Sequence, residues 1–110
     1  MKIGIIRCLQ TEDMCPATTD LLFAKEKKGA FECIEGDIEV IGINTCGGCP
    51  GKKAVTRAQE MVRRGAQGIA FASCIAKGTP IGFACPFAKK MRDAVAAAVG
   101  DDIFIIDYTH

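Results

Sequence analysis

The sequence predicts an α/β fold: a small flavodoxin-like, three-layer domain whose four-stranded parallel sheet has the spatial order 2-1-3-4. Two observations carry this. Four short, β-branched apolar runs alternate with segments of helical period, an order that calls for parallel strands with helices on their faces. The chain has 110 residues and 49% hydrophobic content, which suits one domain built on one core spanning 1–110.

Residues 3–8 (IGIIRC), 38–46 (IEVIGINTC), 68–75 (GIAFASCI) and 103–108 (IFIIDY) read as strands buried on both faces. A first helix is expected over 17–28, with Leu21 and Leu22 inward and Gly29 as its stop. Residues 30–37 follow as an irregular connection. In "GKKAVTRAQEMVRRG", Ala54, Val55, Ala58, Met61 and Val62 line one face of a second helix that Gly65 ends. "PFAKKMRDAVAAAVG" repeats the pattern through Met91 and Val95 and ends at Gly100. Right-handed crossovers then put the first helix on one face of the sheet and the other two on the opposite face. That leaves apolar sheet partly uncovered, from which a homodimer is expected.

Charge excludes some functions. Fourteen Lys and Arg against thirteen Asp and Glu give a net charge of +1, without the basic excess that nucleic acid demands. No run approaches a membrane span, and "MKIGIIRC" is too short for a signal-peptide core, so a soluble cytoplasmic protein is expected. "CGGCPGKK" is not a phosphate-binding P-loop, and no cysteine is followed six residues later by the arginine of a phosphatase loop.

The seven cysteines carry the functional signal. An odd count cannot pair completely, and a reducing cytoplasm does not keep disulfides as staples, which favours metal binding or catalysis. Cys8, Cys46 and Cys74 fall at the carboxyl ends of predicted strands and His110 just past the last, so all four belong to one edge of a parallel sheet. Cys15, Cys49 and Cys85 each precede a proline, which predicts three cysteines capping helix N-termini at that same edge. Cys46 and Cys49 form a Cys-x2-Cys knuckle whose two glycines permit positive φ. Cys33, outside this edge, reads as a small buried hydrophobe. His110 is the last residue of the sequence, where fraying is the usual fate.

These motifs resemble the CGGC domain family of small prokaryotic proteins: "GIIRC", "CP" before the first helix, "GAF" at 29–31, the central "CGGCPG", "SCI" with a later "CP", and a closing "TH". The resemblance implies metal binding, with zinc suggested, and on matching positions it implies Cys8, Cys15, Cys46, Cys49, Cys74, Cys85 and His110. Asp20 stands where many members carry a further cysteine, and Phe87 where histidine is often found.

A zinc site is therefore expected, with Cys46, Cys49, Cys74 and Cys85 as ligands and Cys8, Cys15 and His110 around them. An iron–sulfur cluster uses the same thiolates. A thiol–disulfide oxidoreductase acting through Cys46 and Cys49 is the alternative from another class, and a sensor or enzyme with a metal-bound water is a third.

Overall fold

A computed structural model describes residues 1–110. Strands β1 (Lys2–Arg7), β2 (Glu39–Thr45), β3 (Gly68–Phe71) and β4 (Phe104–Ile106) form one sheet in the order β2-β1-β3-β4, and all neighbours are parallel. The helices are α1 (Thr18–Glu26), α2 (Lys53–Arg63), a single turn α3 (Ser73–Ala76) and α4 (Ala88–Val99). The α/β architecture and strand order match the sequence expectation.

The core is aliphatic. Ile3, Ile5, Ile6 and Ile69 on the two central strands are fully buried, and each such side chain contributes about 1.5–3 kcal/mol. Helices α2 and α4 pack together on one face, with Ala54, Ala58 and Met61 from α2 and Met91 and Val95 from α4 in the core. Close approach of α2 depends on two glycines. The pairing of β1 with β2 shifts register after Ile3, bringing Gly4 opposite Gly42. A Cβ on Gly4 would lie 2.6 Å from the Met61 sulfur, and one on Gly42 3.2 Å from it.

The opposite face departs from expectation. Leu21 and Leu22 are 39% and 45% exposed, whereas Ala17, Asp20 and Ala24 point inward. The rotation follows from a buried polar contact that outweighs two leucines: the Asp20 carboxyl accepts a hydrogen bond from the Thr109 hydroxyl. Helix α1 ends before Gly29, at Lys27, whose φ of 56° supplies the left-handed turn. The connection folds back over this face through a 3-10 turn (Gly29–Phe31), and Phe31 and Ile34 join the core. The sheet is thus better covered than the helices alone would make it. The apolar side chains that stay exposed include Leu21, Leu22, Ile43 and Phe104.

Strand β3 is shorter than predicted. Its last ladder partner on β1 is Ile6, and the chain turns at Ala72, whose carbonyl accepts from the N–H groups of Ile75 and Ala76. Ser73, at the start of that turn, donates its N–H to the Thr109 hydroxyl at 3.1 Å. Cys74 consequently sits on a helical turn rather than on a strand. No helix is long and apolar enough to cross a membrane.

Candidate metal centre

Three of the predicted residues come together at the carboxyl edge of the sheet. Cys8 follows β1 directly and Cys46 follows β2, while Cys74 lies on α3 just beyond β3. The backbone carries the first two into place, since the Cys46 N–H donates to the Arg7 carbonyl at 2.7 Å and extends the ladder past the strand ends. The Cys8 N–H in turn donates to the Cys74 sulfur at 3.2 Å. Cys46 and Cys74 are buried and Cys8 is half-buried. Burial pushes the Cys8 thiol above its ordinary value, the backbone around Gln10 and Thr11 opposes this, and charge on Cys46 and Cys74 adds to the rise. Three sulfurs from three distant segments therefore share one electrostatic environment.

The remaining predicted residues flank this group. The Cys85 N–H donates to the carbonyl of Ile75, next to Cys74, at 2.9 Å. The Cys15 carbonyl accepts from the Arg7 guanidinium. Cys49 is exposed, with the Gln10 amide 3.7 Å from its sulfur. The glycines behave as the knuckle requires: Gly47 and Gly48 have φ of 79° and 105°, conformations that L-residues rarely hold.

The Cys-Pro pairs do not cap helices. The caps are Ala17, Lys52 and Phe87, and Cys15, Cys49 and Cys85 all stand upstream of them. The turns after Cys15 and Cys49 use residues that the helices were expected to use: Ala17 has φ of 68° and Gly51 has φ of 86°. A thioredoxin-like placement of Cys49 at the start of α2 is therefore not made.

His110 is held in place. Its Nε2 stands 3.7 Å from Asp20 Oδ1, its N–H donates to Ser73 Oγ at 2.8 Å, and its ring meets Phe23 edge-on at 5.6 Å. Thr109 is fully buried beside it. Asp20, Ser73 and Thr109 form a buried hydrogen-bonded group that anchors His110 at this edge. Asp20 and Ser73 were not singled out by sequence reasoning as members of a working group; the signal for Asp20 was an acidic residue where the family resemblance implies a cysteine.

Cys33 lies elsewhere. It is exposed rather than buried, and its thiol donates only to the Ala30 carbonyl of its own turn.

The CGGC domain matches residues 2–110. This chain belongs to the CGGC domain family. It is similar to the uncharacterized protein MJ0582 of Methanocaldococcus jannaschii, 36% identical over 80 residues that make up 67% of this chain and 62% of that protein. It is also similar to the uncharacterized protein MJ0766 of the same organism, 30% identical over 56 residues, which are 50% of this chain and 80% of that one. This CGGC chain thus spans less than two thirds of MJ0582. No solved structure matches it.

As the side chains stand, no three of the Cys, His, Asp and Glu groups in the CGGC domain form a set ready to hold an ion. The donor chemistry nevertheless fits a soft cation: the converging atoms are sulfurs, and soft thiolates favour zinc or iron–sulfur clusters over hard cations.

Proposed function

We propose that this CGGC domain binds a thiophilic metal ion, zinc foremost, at the carboxyl edge of its sheet. The convergence of Cys8, Cys46 and Cys74 carries the reading. A thiol whose ionisation is opposed by burial and by two neighbouring thiols is a poor free thiolate, and a bound cation removes both penalties by supplying the missing positive charge. Cys8, Cys46 and Cys74 would hold the ion, with Cys49, Cys85, Cys15 and His110 as the nearby candidates for a fourth ligand or for support. Because the side chains are not preset, loading requires one or more thiols to change rotamer. Zinc bound to four protein groups would act as a structural staple, while an open position would make it a Lewis acid.

The dithiol-exchange alternative loses its main geometric support, since Cys49 is separated from the start of α2 by Pro50, Gly51 and Lys52.

The test is native mass spectrometry with elemental analysis on protein purified without oxygen. One zinc per chain is the expected result. A brown protein carrying iron and sulfide would keep the thiolate site but change its occupant, and a chain that takes up no metal from zinc or iron under reducing conditions would overturn the proposal. Cys33→Ser provides an internal check: metal content is expected to match the parent, because the Cys33 thiol is exposed and donates only to the Ala30 carbonyl, and a clear loss would place the site elsewhere.

A further inference from the structure

A second feature at the same edge involves no sulfur. Arg7 is only 8% exposed, and its Nε has no hydrogen-bond partner. None of the chain's ion pairs includes it. A buried guanidinium without a counter-charge is costly, and such groups are ordinarily paired. Its one hydrogen-bond acceptor is the neutral Cys15 carbonyl.

Arg7 lines a cleft of about 450 Å³ at the end of β1 and of the edge strand β2, and a second guanidinium, Arg57, lines it too. Arg57 reaches around the edge strand from α2 and is fixed by Thr45, its Nη1 donating to the Thr45 carbonyl at 3.0 Å and to the hydroxyl at 2.8 Å. It likewise has no carboxylate within an ion pair. Asn44 offers an amide, and the one acidic residue lining the cleft is Glu12, which is exposed and paired with neither arginine.

We infer that this cleft binds a small oxyanion, a phosphate or carboxylate group, between Arg7 and Arg57. Guanidinium groups present planar pairs of N–H donors that match the oxygens of such anions. The anion supplies the counter-charge that the chain itself does not give Arg7. The site stands apart from the metal reading in its residues, although Arg7 precedes Cys8 and Thr45 precedes Cys46, so an anion held there lies at the rim of the thiol group.

The experiment titrates the full chain with inorganic phosphate and, separately, malonate, against sodium chloride at matched ionic strength. Melting temperature and the NMR signal of the Arg7 Nε–H are followed. A probe at ten times its Kd is expected to raise the melting temperature by about 5 °C and to shift the Arg7 signal. The tighter of the two probes then names the anion class. Arg57→Ala is expected to weaken binding at least tenfold while leaving the fold intact, whereas Arg7→Met risks the fold and is not the deciding variant. Glu12→Gln is expected to bind the anion as tightly or more tightly. The inference is overturned if neither probe does more than chloride, if Arg57→Ala binds as well as the parent, or if Glu12→Gln loses stability as the partner of Arg7 would. Anion binding is expected to persist in a Cys8→Ser, Cys74→Ser variant, which separates its failure from that of the metal site.

Discussion

Replacing Cys8 and Cys74 together by serine is expected to abolish the metal binding proposed for this edge even though the Cys46-Gly-Gly-Cys49 motif remains whole. Sequence reading places the strongest pair at Cys46 and Cys49, since their spacing lets one turn supply two ligands. The fold places Cys8 and Cys74 with Cys46 instead, through the hydrogen bond from the Cys8 N–H to the Cys74 sulfur and the shared charge environment. Removing two of three converging sulfurs leaves no thiolate set for a soft ion, so the loss should exceed the roughly 10–100-fold that changes outside the ligand shell produce. Competition with a chelator of known zinc affinity gives the measurement. Cys74 is buried, and a serine there costs stability as well, so circular dichroism must show that the variant is folded. Retention of one zinc per chain by the folded variant would transfer the site to the central knuckle.

Thr109→Val is expected to cost about 3–5 kcal/mol of stability, a large share of what a domain of this size possesses. Valine keeps the shape of threonine but removes the hydroxyl. That hydroxyl donates to the Asp20 carboxyl, accepts the Ser73 N–H at 3.1 Å and lies 3.3 Å from Ser73 Oγ. Asp20 and Thr109 are 1% and 0% exposed, so water does not replace what is lost. A buried carboxyl and a buried N–H are then left without their partner. The melting temperature should fall by about 10–20 °C, whereas Thr56→Val on the exposed side of α2 should change it little. Thr109→Ser, which keeps the hydroxyl, is expected to recover most of the difference. A fall of only a degree or two in Thr109→Val would mean that the group joining α1, α3 and the last residues is not what holds the chain end in place.

Periodicity and composition were enough for the scaffold. Four apolar runs alternating with two strongly amphipathic helices determined a parallel sheet, and the order 2-1-3-4 followed from right-handed crossovers, because both depend on local pattern and a chirality common to all L-chains. The sheet edge to which Cys8, Cys46 and Cys74 belong was legible for the same reason: parallel strands put all their carboxyl ends on one side.

What lay beyond the sequence depended on contacts between residues far apart in it. The inward side of α1 was misread because Leu21 and Leu22 are more apolar than Asp20, and only the fold shows that Thr109, eighty-nine positions away, waits for that carboxyl. The Cys-Pro pairs were read as helix caps on local preference, yet each helix starts later, once the turn at Ala17 or Gly51 has been made. Cys74 looked like the end of a strand because "GIAFASCI" is apolar throughout, but a strand persists only while a neighbour pairs with it, and β1 ends before that point. In the sequence Arg7 stands among several basic residues near that edge, which read chiefly as solvated charges with an anion site only secondary. Only the fold shows it buried without a counter-charge. Local pattern therefore determined which elements form and which edge the cysteines share, while long-range packing alone decided which cysteines become neighbours there and which charges are left unpaired.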